Sequence, residues 1–255
     1  MQCGILTVKD FQDFRVGVEG PAWTPLSRDE WLYTTPVPTS GPVLAFVVSV
    51  LDHFRHEGRL PDNELSVHRI VEALKFGFAR RFELGDPEAT EISKSLGMLL
   101  RDLTSATESQ KVALSQITKS AHGDTRYYGP QLASTEDHGS GHVCIVAADG
   151  DALCLVSSIN TAFGSHILSK VTGIWYNNDM NDFATPYNKS VHDTPASSNN
   201  YIRPGLRPVS SLCPTVVVDA DGDVLLAATA TGGQLIISTL TQACTLYTLS
   251  PKLSS

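Results

Sequence analysis

Residues 134–160 read "STEDHGSGHVCIVAADGDALCLVSSIN", and the fold turns on this stretch. From His142 the apolar residues run as two β-prone segments, "HVCIVA" and "ALCLVSS", on either side of Asp149-Gly150. Two such runs around a glycine-containing turn predict a β-hairpin. A three-residue loop, Ala148-Asp149-Gly150 with Gly150 left-handed, sets Ser140 opposite Ser158. A two-residue loop shifts the register by one and sends Ser158 to the other face. The first alternative places two hydroxyls at the open end of the hairpin, where one can attack and the other orient it.

Outward from this hairpin, "PTVVVDADGDVLLAATAT" (214–231) repeats the pattern around Asp221-Gly222, so a layered sheet core is expected. The half before Ser140 reads as helical once past "TTPVPTSGP" (34–42), where Pro and Gly announce a tight loop. A buried helix is predicted from Val43 to Arg55. In "SVHRIVEALKFGFARRFELGDP" (66–87), Val67, Ile70, Val71, Leu74, Phe78 and Phe82 recur at helical spacing, with Ser66 as N-cap and Gly85 and Pro87 as the stop. Residues 93–121 read as further helix and 122–139 as an exposed linker open to cleavage. Residues 173–213 are irregular and rich in Asn, Asp, Pro and Ser, and an irregular stretch that long in a compact domain is usually functional or disordered. Helices before strands, rather than strict alternation, favour an α+β sandwich over a doubly wound sheet.

Composition narrows the function. With 42% hydrophobic and 18% charged residues the chain is ordinary globular protein, and a net charge of −8 without a Lys/Arg run argues against nucleic acid as a partner. The longest apolar stretch, "PVLAFVVSVL" (42–51), is half of a membrane span. The five cysteines (3, 144, 154, 213, 244) have no CxxC spacing and read as buried free thiols. HExxH, GxxxxGK[ST] and GxGxxG are absent, so neither a metal nor another cofactor is expected.

Four polar stretches carry the chemistry. Ser140 sits between glycines at the hairpin mouth. "NNDMNDF" (177–183) gathers two carboxylates and three amides, suited to an ammonium group. "RPVSSLCP" (207–214) offers paired hydroxyls to a carboxylate. "TATGGQL" (229–235) puts two glycines after a strand, where successive N–H groups can converge on an oxyanion. Each also has a plain reading, as a solvated turn or an ordinary loop.

In this order, "SSINTAFGS" (157–165), "NNDMNDF", "PVSSLCPT" (208–215) and "GGQLI" (232–236) resemble the small-subunit signature of the γ-glutamyltranspeptidases, or glutathione hydrolases. Upstream, "CGILTVKDF", "PTSGPVLA", "HRIVEALKFGFARR" and "LGDP" are similar to the C-terminal part of that family's large subunit. The resemblance implies a four-layer αββα sandwich of the N-terminal-nucleophile hydrolases. Residues 1–139 would be the large-subunit-like region and 140–255 the small-subunit-like region of one structural domain. It further implies self-cleavage at Gly139–Ser140, with Ser140 as nucleophile and its new α-amino group as base. Ser158 falls on the supporting hydroxyl, Gly232 and Gly233 on the oxyanion donors. Asn160, Asp179 and Asp182 match ligands of the substrate's α-amino end, and Ser210 and Ser211 match its carboxylate ligands. Implied partners are glutathione and other γ-glutamyl compounds, amino-acid or dipeptide acceptors, and the two cleaved subunits for each other.

Three residues depart from the family pattern: Ser140 and Ser158 stand where it keeps threonines, and Asp179 where it keeps a glutamate. A serine rotamer is freer than a threonine's, so slower processing is expected. The resemblance begins inside the large subunit, leaving out further strands and an arginine for the substrate carboxylate. Open sheet edges and exposed apolar faces are therefore expected. These departures favour, as the alternative, a catalytically silent homologue that binds a ligand or a partner. The resemblance implies the extracellular face of the plasma membrane, where animal members of the family are anchored; bacterial members are periplasmic or secreted. This chain shows neither signal nor anchor, and the sequon at Asn188 is consistent with export.

Overall fold

The computed structural model describes residues 5–58, 60, 63–130, 132, 139–186 and 196–249. A short helix α1 (Val8–Asp13) precedes two strands that the sequence reading did not assign, β1 (Ala22–Leu26) and β2 (Glu30–Thr34). Residues 1–139 are thus not simply helical. The hairpin escaped notice because its alternation buries Glu30, Leu32 and Thr34, two of them polar, while Arg28 and Asp29 adopt the positive φ that turns the chain. Buried Glu30 is compensated by Arg55, 3.8 Å away, which also pairs with Asp52.

Helix α2 (Gly41–His56) forms where a buried helix was expected, two residues longer at its start. Being apolar on every side, it has to sit in the middle of the core. It packs on β1 and β2 and is flanked by α3 (Glu64–Arg81), α4 (Ser93–Leu103), α5 (Ala106–Lys111) and α6 (Leu235–Leu249). Helix α3 starts earlier than predicted: Asn63, not Ser66, is the N-cap, its side chain accepting from the N–H groups of Leu65 and Ser66. Its buried face is also rotated. Ser66, Arg69, Ala73, Phe76, Gly77 and Arg81 point inward and Val67 and Val71 outward, because Gly77 is what lets α3 approach α2. A Cβ there would lie 2.3 Å from Val47 Cγ2. The predicted helix over 93–121 ends at Gln116, after a π-helical turn.

The main sheet has four antiparallel strands in the order β1-β2-β5-β6, with β5 at Thr215–Val218 and β6 at Val224–Ala228. The central ladder, from Trp31–Val218 to Thr34–Thr215, joins segments from either side of Ser140. Strands β3 (Gly141–Val146) and β4 (Ala152–Ser157) form a separate hairpin lying over β5 and β6. Its register is that of the three-residue loop: Gly141 pairs with Ser157 and Cys144 with Cys154, Ala147 N–H donates to Asp151 O at 2.8 Å, and Gly150 has φ 96°.

The chain is therefore α+β, with helices, the four-stranded sheet and the hairpin as successive layers. The hairpin's outer face carries Val143, Ile145, Leu153 and Leu155, each between 43% and 55% exposed, so among the described residues no fourth layer covers it. The cysteines correct another expectation. Cys213 and Cys244 are buried, but Cys144 is exposed and Cys154 half-buried; Cys3 lies outside the described residues, as does Asn188.

Candidate active site

The β3–β4 register decides what stands at the hairpin mouth. Ser140 donates its backbone N–H to Thr231 Oγ1 at 2.8 Å, while its own Oγ is shielded from solvent and has no hydrogen-bond partner among the described residues. Ser158 Oγ donates to the carbonyl of Gly139 at 3.0 Å and accepts from Asn160 N–H at 2.9 Å. The hydroxyl predicted to face the Ser140 hydroxyl thus lies instead on the carbonyl that precedes it. Gly139–Gly141 and Ser157–Phe163 line an open groove around these groups.

The wall of the groove is a run of unusual backbone. Asn160, Phe163, Gly164 and His166 all have φ between 53° and 68°. Asparagine tolerates this region, and at 164 only glycine fits, since a Cβ would lie 2.2 Å from Tyr176 O. Thr161 fastens the run to "NNDMNDF", donating its N–H at 3.2 Å and its hydroxyl at 3.0 Å to Asn178 Oδ1. Asn160, 3% exposed, donates Nδ2 to Asp182 Oδ1 at 2.9 Å. Among the described residues its buried Oδ1 has no hydrogen-bond partner, an acceptor available to a donor from a ligand.

Asp179 and Asp182 share a single 3₁₀ turn, Asp179–Asp182, with Asp182 buried and Asp179 half-buried. Asn200 holds this turn, donating Nδ2 to Asp182 O at 2.8 Å and accepting from Val209 N–H at 3.0 Å. Ser210 and Ser211 are thereby tied to the acidic turn, but neither lines the groove. Ser211 is fully buried and its Oγ accepts from Arg81 Nη2 at 2.7 Å; Ser210 Oγ accepts from Leu212 N–H at 3.2 Å. Gly232 (φ 123°) and Gly233 (φ 58°) directly follow Thr231, and their carbonyls accept from Leu235 and Ile236 as α6 begins.

Three residues of this arrangement were missed in the sequence: Thr231, Asn200 and Arg81. Only Thr231 left a signal, its place beside the glycine pair. "LGDP" also acquires a reason. Gly85 lets the 199 backbone approach, since a Cβ would meet Asn199 O at 2.5 Å, and Ser197 and Asn199 side chains donate to the carbonyls of Phe82 and Glu83. Burial pushes the Asp86 carboxyl up, but hydrogen bonds from the Arg207 side chain, Glu88 N–H and Arg207 N–H outweigh it and hold it below its ordinary value.

The γ-glutamyltranspeptidase family model matches residues 1–251. The chain belongs to that family. Among curated relatives it is 37% identical over 243 residues to glutathione hydrolase 2 of Arabidopsis thaliana, covering 94% of this chain and 41% of that protein. It is 35% identical over 241 residues to scoloptoxin SSD14 of Scolopendra dehaani, covering 93% and 41%. This γ-glutamyltranspeptidase-type chain thus spans about two fifths of the length of these relatives. Its fold is that of the cephalosporin acylase of Bacillus halodurans, with TM-score 0.67 and 20% identity over 94% of this chain and 39% of the other.

Proposed function

We propose that this chain carries the nucleophile and the self-processing junction of a γ-glutamyltransferase acting as a glutathione hydrolase. One observation carries the reading: Ser158 Oγ donates to the Gly139 carbonyl at 3.0 Å, beside a shielded Ser140 hydroxyl with no hydrogen-bond partner among the described residues. A carbonyl polarised in this way next to a free nucleophile is prepared for attack from within the chain.

Ser140 Oγ attacks the Gly139 carbonyl carbon, Ser158 stabilises the oxyanion, and the C–N bond breaks to leave an ester and a free α-amino group. Water then hydrolyses the ester. An α-amino group titrates at about 7.7–8.0, so its neutral form is available at physiological pH to take the proton of its own side chain. In the second reaction Ser140 attacks the γ-glutamyl carbonyl of glutathione and cysteinylglycine leaves. The acyl-enzyme passes the glutamyl group to water, an amino acid or a dipeptide.

Gly232 and Gly233 serve as oxyanion donors in this scheme. The unpaired Asn160 Oδ1 with Asp182, and Asp179 on the same turn, supports the role of these residues as ligands of the substrate ammonium. Ser210 and Ser211 remain the proposed carboxylate ligands, and Ser211 reaches that role only if it leaves Arg81. The β2–β5 ladder and the packing of α2 on α6 supply the contacts that would hold the cleaved pieces together. An extracellular setting belongs to the same proposal; among the described residues no helix is long and apolar enough to cross a membrane.

Intact mass and N-terminal sequencing of the purified chain test the reading. Fragments 1–139 and 140–255, absent in Ser140→Ala, are the expected result. An uncut soluble chain overturns the self-processing step and puts the silent, ligand-binding homologue in its place.

A further inference from the structure

Cys144 and Cys154 are directly opposed on β3 and β4, with Sγ atoms 3.1 Å apart. The ladder bond from Ala147 N–H to Asp151 O makes that pair a hydrogen-bonded one. Pairs alternate along an antiparallel ladder, so Cys144–Cys154, three pairs further on, is non-hydrogen-bonded, the type whose Cα atoms lie about 4.5 Å apart and whose side chains are closest. That separation falls at the lower end of the disulfide range of about 4.4–6.8 Å. Cys144 is exposed, whereas Cys213 and Cys244 are buried.

We infer that Cys144 and Cys154 are a redox-active cross-strand pair that closes to a disulfide on reaction with a small-molecule disulfide. Cys144, the accessible thiol, attacks as the thiolate, releases one small thiol and forms a mixed disulfide. Cys154 Sγ then attacks Cys144 Sγ, loses its proton and expels the second small thiol. One disulfide is reduced to two thiols as the protein dithiol is oxidised, and the electrons balance. The order of attack follows from burial and from the neighbouring Cys144 sulfur, which push the Cys154 thiol up to about 12 and leave it the resolving partner. The link would lie midway between the loop and the Ser140–Ser158 mouth, covalently fixing the register on which that mouth depends.

The probe is hydroxyethyl disulfide with mercaptoethanol, which carries no γ-glutamyl group and so reads the thiols independently of any hydrolase activity. The full chain is equilibrated at a series of ratios, quenched with an alkylating agent, and mapped by mass spectrometry without reduction. The expected result is the loss of two hydrogens, with a single 144–154 link. Cys154→Ser should instead stop at a mixed disulfide on Cys144, and Cys144→Ser should stay unmodified at Cys154. A wild-type chain that accumulates the mixed disulfide, stays reduced at every ratio, or links through Cys3, Cys213 or Cys244 overturns the inference.

Discussion

At the scale of single residues, the hydroxyl of Ser158 gives its proton to the Gly139 carbonyl while that of Ser140 has no partner among the described residues. Replacing Ser158 by Ala removes the donor on the Gly139 oxygen, and loss of one such donor costs about 10²–10³ in rate. Appearance of the 140–255 fragment, followed by gel densitometry, should slow accordingly, while Ser140→Ala abolishes it and Ser140→Thr speeds it by restricting the rotamer. Arg81 is a second single-residue case. It donates to Ser40 Oγ at 3.2 Å and to Ser211 Oγ at 2.7 Å in a buried setting. Arg81→Met leaves both hydroxyls short of a partner, each loss of this kind costing about 1–3 kcal/mol, and urea unfolding should show a midpoint lowered to match.

Among elements, the face that α3 presents to α2 is offset from the apolar stripe of its sequence. Of the stripe Val67, Ile70, Val71, Leu74 and Phe78, Ile70, Leu74 and Phe78 pack against the core while Val67 and Val71 face outward, and it is Gly77 that stands against Val43 and Val47. Hydrophobic periodicity says that a face will be buried; shape complementarity between two helices says which. Gly77→Val should therefore destabilise by about 1–3 kcal/mol through overpacking, read as a lower melting temperature in calorimetry. The clamp between Asp86 and Arg207 makes a pH prediction. Since the folded Asp86 carboxyl lies below its ordinary value, its contribution is present above the unfolded pKa of about 3.9 and is lost as pH falls through the folded value. Stability measured from pH 5 downward should fall less steeply in Asp86→Asn, which has no such proton to take up.

Over the whole molecule, two regions on either side of Gly139–Ser140 share one four-stranded sheet, and a hairpin lies over it with an apolar outer face. A face built from Val143, Ile145, Leu153 and Leu155 promotes association in water. Ile145→Thr with Leu155→Thr keeps β propensity while removing apolar area. Sedimentation velocity should then show less self-association than the unmodified chain, at equal helix and strand content by circular dichroism.

Consecutive residues suffice to specify the hairpin around Asp149-Gly150, its sister at 214–231, the buried α2, and the ordered polar stretches that mark the family. Each of these is written in consecutive residues, through turn-forming glycines, apolar runs and short motifs, and so needs no knowledge of what lies across the core. The remaining features depend on long-range packing. The β1–β2 hairpin is stable only because β5 pairs beside it and Arg55 meets Glu30. Ser158 reaches the Gly139 carbonyl because a fixed register and a left-handed Asn160 aim it there. Asn200, Arg81 and Thr231 become parts of the site through partners 9 to 130 positions away in the chain. Contacts of that length depend on how layers stack, and stacking is set by packing over the whole core rather than by any segment of it.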